Sequence, residues 1–473
     1  MAEDKKQSTE KDLIDARIKK LNELLKKKID PYPAKSDPDY CLAKASADYE
    51  ELAVASKEIT LAGRVFALRT HGGATFIDLV DESGKLQILF RQDDLADQYQ
   101  LIKLIDLGDF IEVSGQLFKT KTEAITLSAK KFKILSKAIR PLPERFYGLS
   151  DVETRYRERA VDLIINPEVK AVFYKRSQII SSLRNSLINK GFLEVDTPVL
   201  QPIAGGATAR PFKTRYNAYS RDVFLRIAPE LYLKRLVIGG FERVFEFARC
   251  FRNEGVDATH NPEFTNLEYY WAYFDYLKLM DFTEEMIKEA VKSVNEGSLI
   301  FERDGRKFDF SKKFKRTDFK TVTGGKNDDQ AFKNGVKKII EPTFVIHHPV
   351  SISPLAKKRD QQTVERFQLV IDGREFANGF SELNDPIDQK KRFLEQMKLR
   401  DRGDEEAQAM DEDFVRTLEY GMPPTAGCGI GIDRLVMFLT RMNTLREVLF
   451  FPYMRPIKKE EIDNEQKKRS KDA

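Results

Sequence analysis

Cysteine is nearly missing from this chain. Its three cysteines, Cys41, Cys250 and Cys428, lie far apart, with no CxxC pair and no Cys/His cluster, which argues against a structural zinc site. So sparse and odd a complement in a large protein fits a reducing cytosol, and a cytoplasmic location is expected. No apolar run reaches the roughly 18 residues of a membrane helix. The opening Met1-Ala-Glu-Asp-Lys-Lys6 leads into no apolar stretch of the signal-peptide kind, so no membrane role is expected. Neither charge dominates: 80 Lys and Arg against 75 Asp and Glu leave a net of +5, which allows nucleic-acid binding without establishing it. Nucleotide-loop signatures are missing too. Gly427, Gly429 and Gly431 fail the GxGxxG pattern because Ile432 follows, and Gly324-Gly325-Lys326 is followed by Asn327. There is no internal repeat.

What is present is enough apolar residue, 41% of 473, to build a large core. The length suggests roughly two to four domains. Residues 1–58 read as a helical extension, with Leu13, Ile14, Ile18, Leu21, Leu24 and Leu25 at helical spacing up to the breakers Pro31 and Pro33. A packing arm, docked late or partly mobile, is expected there. Residues 59–137 hold five alternating segments and a helical stretch near 94–106, the pattern of a small Greek-key barrel of the OB type. Such barrels stack single-stranded bases on aromatics, so Arg64, Phe76 and Gln87 are candidate nucleic-acid contacts, with a core position the alternative for Phe76. Arg140-Pro-Leu-Pro143 marks a linker over 138–165, followed by a large mixed domain over 166–457 and a charged tail over 458–473. The lysine runs at 26–28 and 467–471 read as solvated ends, while 130–133 could instead meet phosphates. In the large domain Pro198 confines the strand at 192–197 to an edge.

The most informative stretch runs from Val244 to Tyr270. Phe245, Phe247 and Phe251 share one parity, as in a half-buried strand, with Glu246, Arg252 and Glu254 on the other face. After a loop carrying His260 and Asn261, Phe264, Asn266, Glu268 and Tyr270 alternate again. The reading is a long hairpin with Arg252, Glu254, Phe264, Glu268 and Tyr270 on one face. An arginine can fork onto a phosphate, a phenylalanine can stack a base, and two glutamates can hold a cation. A solvated surface hairpin is the alternative. Farther on, Glu375 and Glu382 flank Asn378-Gly-Phe380, and two carboxylates near a phosphate site suggest Mg²⁺ bridging polyphosphate oxygens. Solvated glutamates, or an acid/base pair, remain open there. Arg434 opens a helix after a glycine-rich strand, where phosphate is favoured, or stands on the helix surface.

Three segments together carry a resemblance: Gly191-Phe-Leu-Glu-Val-Asp-Thr-Pro198, Phe251-Arg-Asn-Glu254 through Phe264, and Gly429-Ile-Gly-Ile-Asp-Arg434. Gly205-Gly-Ala207, Ala209-Arg-Pro-Phe212, Leu225-Arg-Ile-Ala-Pro-Glu-Leu-Tyr232 and Asn378-Gly-Phe-Ser-Glu-Leu-Asn384 extend it. Over about 59–456 the chain resembles the class II aminoacyl-tRNA synthetases, and within them the bacterial-type lysyl-tRNA synthetases. The resemblance implies an α+β protein: an N-terminal OB barrel gripping the anticodon, a catalytic domain on an antiparallel sheet of six to seven strands flanked by helices, and a homodimer. It implies ATP-dependent activation of L-lysine to lysyl-adenylate, then transfer to tRNA(Lys). By the same resemblance Arg252 holds the α-phosphate, Glu254 touches the adenine side, Phe264 stacks the base with Arg434 on its other face, and His260 with Asn261 reaches the outer phosphates. Glu375 and Glu382 would ligate Mg²⁺; Gly206, Glu230, Glu268, Tyr270, Asn378, Phe380 and Glu382 would surround lysine; Arg64, Phe76 and Gln87 would read the anticodon. The chain departs from the family pattern at Ala204, at His347-His348, at Glu123-Ala124 and in a short 310–342 segment. Two rivals are an aspartyl- or asparaginyl-type synthetase, which would want a cation where Glu230 and Glu268 stand, and a non-catalytic RNA-binding paralogue, which would be expected to lose Arg252, Arg434 or the Glu pair.

Overall fold

The computed structural model describes residues 9–143, 149, 151–404 and 406–456. The tail expected at 458–473, with its lysine run, lies outside the described residues. The chain divides into two compact units, residues 1–150 with 456–473, and residues 151–455. Among the described residues no helix is long and apolar enough to cross a membrane.

In the first unit, β1 (Ile59–His71), β2 (Ala74–Val80), β3 (Lys85–Arg91), β4 (Phe110–Lys119) and β5 (Ile125–Ser136) close into a barrel in the order β1-β2-β3-β5-β4. All neighbours are antiparallel except β3 and β5. Period-2 patterning explains the closure: Leu61, Val65, Ile77, Ile88, Ile111 and Leu127 point inward and are buried. β5 runs on through the lysines at 130–133, because these stand outward beside the buried Phe132 and Ile134. The helix Glu10–Lys26 starts at a Thr9/Asp12 capping box. It buries Arg17 and Leu24 rather than the whole expected stripe, leaving Leu13, Ile18 and Leu25 exposed. Leu24, with Leu42, Ala45 and Leu52 of the next two short helices, joins the barrel's core, so this extension is docked rather than a loose arm.

The second unit is built on one sheet of eight strands. Across it run Lys315–Asp318, Thr343–Ile346, Arg366–Ile371, Arg374–Ser381, Thr425–Gly431, Glu263–Ala272, Arg243–Phe251 and Leu193–Glu194. The centre is antiparallel and each outermost pairing is parallel. The count is eight where six to seven were expected, with edge strands only four and two residues long. Leu193–Glu194 ends before Pro198 at the edge, where a missing N–H costs no ladder bond. Both faces of the central hairpin are covered: Phe245 and Glu246 are both buried, so its first strand is not half-buried as the alternation suggested. The helices Pro167–Ile188, Tyr276–Val294 and Ile432–Leu439 pack on one face through Ile179, Leu183, Met286, Ile287, Leu435 and Phe438. Val152–Arg157 and Arg159–Ile165 are helices of this same unit, so the linker expected over 138–165 is structured from 152 onward. Arg159 anchors them by donating to the carbonyls of Arg446 and Phe450 and to Asp162.

Candidate active site

The cavity face of the sheet follows from strand parity. Phe264, Asn266, Glu268 and Tyr270 project from the strand Glu263–Ala272 into one cavity of about 690 Å³. Across the ladder, Asn266 faces Gly431, Glu268 faces Gly429 and Tyr270 faces Gly427. These glycines make room. A Cβ on Gly427 would stand 2.3 Å from Glu382 Oε1 and 2.4 Å from Tyr270 Cε1. The glycine stripe is therefore a floor for side chains from neighbouring strands as well as a surface a ligand can approach.

Phe264 and Glu268, four residues apart, are separated by about 13 Å along the strand, which gives the cavity two ends. At the first end, the Arg252 guanidinium carbon lies 5.0 Å from the Phe264 ring centre. Glu254, His260, Asn261 and Arg434 line the same end. His260 Nδ1 lies 2.8 Å from Asp257 Oδ2, and Arg434 lies 3.1 Å from His260 Nε2. A carboxylate on Nδ1 fixes the proton there, so Nε2 accepts from Arg434. Burial works against ionisation of Asp257, but bonds from Thr259 and His260 hold its pKa down to about 2. Asn261 donates to the carbonyl of Glu263, which pins the loop to the strand. Asp433, beside Arg434, accepts from the Thr265 N–H at 2.9 Å and pairs with Arg176 at 2.7 Å, locking the helix start against the hairpin.

The other end is acidic and dry. Glu230 opens the helix Glu230–Ile238 and, with Glu268, lines the cavity while almost fully buried. Tyr270 donates to Glu268 Oε2 at 3.1 Å and Asn266 to Oε1 at 2.9 Å. Burial, then the nearby Glu230, pushes the Glu268 carboxyl up to about 8. Gly206, at φ +86°, brings its loop so close that a Cβ would stand 3.0 Å from Glu230 Cβ. Asn378 and Phe380 complete this end, and Arg366 donates to Asn378 Oδ1 at 2.9 Å.

Every residue expected at the nucleotide and amino-acid sites lines this cavity except Glu382. That residue is 2% exposed and forms an ion pair with Lys234 behind the lining. Glu375 lines the cavity instead beside Gln368. The two glutamates expected to share a metal are thus set apart, and among the described residues no group of three or more His, Cys, Asp or Glu is placed to hold one. Glu375 with substrate phosphates fits Mg²⁺, which commonly takes one or two carboxylates and keeps its water; Glu382, already paired with Lys234, does not. The Arg434 side chain belongs to the cavity wall rather than to a free helix surface. Reading the sequence missed Lys234, Arg366 and Asp257. Lys234 had a visible signal, since it follows Glu230 by one helical turn.

On the barrel, Phe76 is half-buried on the outward face, with Arg69 and Leu89 as its cross-strand neighbours. Gln87 faces Asp78 and accepts from Thr126 at 3.0 Å. Arg69 at 2.7 Å and Lys85 at 3.2 Å hold the Asp78 carboxyl below its ordinary range against the opposing effect of burial. Arg64 stacks 4.2 Å over Phe110 and donates to the Gly108 carbonyl at 3.0 Å. It braces the barrel, and Arg69 is the arginine beside Phe76 and Gln87.

Residues 151–455 match the family described as tRNA synthetases class II (D, K and N), and residues 59–135 match the OB-fold nucleic acid binding domain. The chain is 48% identical to the lysine–tRNA ligase of Magnetococcus marinus over 95% of this chain and 98% of that protein. It is 47% identical to the lysine–tRNA ligase of Carboxydothermus hydrogenoformans, over 94% and 98%. Identity to the lysine–tRNA ligase of Campylobacter jejuni serotype O:6 is 47%, over 94% and 97%.

Proposed function

This chain belongs to the class II tRNA synthetases (D, K and N), and from that premise we propose that its cavity joins ATP and L-lysine and passes the lysine to tRNA(Lys). The observation that carries the lysine assignment is the pair Glu230 and Glu268, almost fully buried at one end of a cavity whose other end holds Arg252, His260 and Arg434. A cationic amino acid satisfies the first end and a polyphosphate the second. An acidic side chain would meet carboxyls at Glu230 and Glu268 rather than a cation, which disfavours aspartate.

In the first step the lysine carboxylate oxygen attacks the ATP α-phosphorus, and the bond from that phosphorus to the departing pyrophosphate breaks. Arg252 forks onto the α-phosphate and stabilises the charge that builds there. Phe264 stacks the adenine with Arg434 on its other face, Glu254 borders the base, and His260 and Asn261 meet the outer phosphates. Gly206, Glu230, Glu268, Tyr270, Asn378 and Phe380 surround the lysine. In the second step the terminal tRNA hydroxyl attacks the adenylate carbonyl and AMP leaves. Catalysis comes from alignment and charge stabilisation, without a covalent enzyme intermediate. Mg²⁺, held by Glu375 and the phosphates, would neutralise charge on the outer phosphates.

Phe76, Gln87 and Arg69 on the barrel are the proposed anticodon contacts. A homodimer is proposed from the edge strand and the segment that follows it, where Leu193, Val199 and Leu200 are 47%, 38% and 53% exposed. ATP–pyrophosphate exchange tests the amino-acid assignment. Lysine should support exchange, with essentially none from aspartate or asparagine; faster exchange with either would overturn the lysine reading and leave the class II membership standing.

A further inference from the structure

Behind the acidic end of the cavity lies a cation that no step above uses. Lys234 is 0% exposed and does not line the cavity. Its ammonium lies 2.6 Å from Glu230 Oε1 and also forms an ion pair with Glu382. It sits 5.5 Å over the ring of Phe380, a cavity residue. Resting on the lysine reading above, we propose that Lys234 is a positioning residue for amino-acid selection, clamping Glu230 and Glu382 from behind so that the cluster can hold a second, incoming ammonium.

Charge balance in a dry site gives Lys234 this role. Three carboxyls, Glu230, Glu268 and Glu382, are 7%, 5% and 2% exposed. A buried carboxylate without a cation protonates rather than stay charged. Burial pushes Glu230 and Glu382 upward and Lys234 pulls both back down. Among the described residues, the other charged or titratable groups facing the cluster are Arg366 from the neighbouring strand, Tyr270, Glu246 and Cys250 from the hairpin, and Cys428 from the glycine-rich strand. Arg366 is held by Asn378, Ser353 and the Ile352 carbonyl, so its guanidinium is committed elsewhere. Lys234 is therefore the ammonium that opposes protonation of Glu230 and aims its carboxyl before substrate arrives. The cluster still has more carboxyl than ammonium, and a substrate cation fits that deficit.

The test is ATP–pyrophosphate exchange by the full-length enzyme against lysine concentration from pH 6.5 to 8.5, for wild type, Lys234→Met, Lys234→Gln and Lys234→Arg. Removing the charge should raise the lysine KM about tenfold for each unit by which the carboxyl titration moves. That titration should shift to higher pH, so part of the loss recovers at the alkaline end, while the ATP KM holds within about twofold. Lys234→Arg keeps the charge and should keep the wild-type pH profile even if its KM rises. A merely structural lysine would raise both KM values together or leave the profile overlaid on wild type, and either result overturns the proposal. If the Met and Gln variants do not fold, the Arg variant decides: a shifted profile there is refuting. Absence of lysine-dependent exchange in wild type would instead sink the lysine reading, and this proposal with it.

Discussion

Lysine binding should release a proton, and Glu268 supplies it. Its carboxyl is pushed up to about 8 by burial and then by Glu230. At pH 7 about nine in ten sites are therefore protonated, and at pH 9 about nine in ten are ionised. Only the ionised form makes a charge pair with the substrate ammonium, so lysine affinity should rise roughly fivefold to tenfold from pH 7 to pH 9, and close to one proton should leave per lysine bound at pH 7. Titration calorimetry at pH 7 in two buffers of different ionisation enthalpy counts that proton directly. ATP binding, remote from Glu268, serves as the control. The sign for stability runs the other way. With a folded pKa above the ordinary 4.5, the folded state holds the proton longer than the unfolded chain. This contribution is therefore fully present below pH 4.5 and lost as pH rises through about 8. Bound lysine should offset that alkaline loss. Equal lysine affinity from pH 6.5 to 8.5 with no proton release would refute the assignment of Glu268 to the ammonium.

The remaining predictions concern the phosphates, the metal and the RNA. Arg252→Ala should lower adenylate formation by roughly 10²–10³ with folding intact, the scale of one lost transition-state donor; an unchanged rate in a folded variant would remove Arg252 from the chemistry. Glu375→Gln should raise the Mg²⁺ concentration needed for half-maximal exchange, whereas Glu382→Gln should leave that curve in place and raise the lysine KM; a Mg²⁺ shift in Glu382→Gln alone would reverse these roles. Phe76→Ala should weaken tRNA charging by about 1–3 kcal/mol while lysine activation without tRNA is untouched. Arg64→Ala should instead lower the melting temperature of the barrel through loss of its Phe110 and Gly108 contacts; weaker charging at unchanged stability would return Arg64 to the RNA face.

How much of this was written in the sequence depends on the range of the interaction. The barrel strands, the hairpin and the parity of Phe264, Asn266, Glu268 and Tyr270 follow from period-2 patterning, because neighbouring strand positions face opposite sides whatever the fold. Arg252 and Arg434 are marked by the motifs that carry the family resemblance. Glu375 shows where parity stops working. It and Asn378 have opposite parity, yet both line the cavity, because the pairing shifts at Leu369/Val370. Glu382 has the parity of Asn378 and Phe380, but it was assigned to a metal because no spacing rule pairs it with Lys234, which reaches it from a distant helix. The exposed stripe of the first helix and the edge strand Lys315–Asp318 were decided by which neighbour arrives to cover them. The sequence by itself determined the elements, the family and the inventory of charged groups. Tertiary structure decided which charges are dry and which partner each one meets, because desolvation and ion pairing depend on distances in space that a linear spacing does not contain.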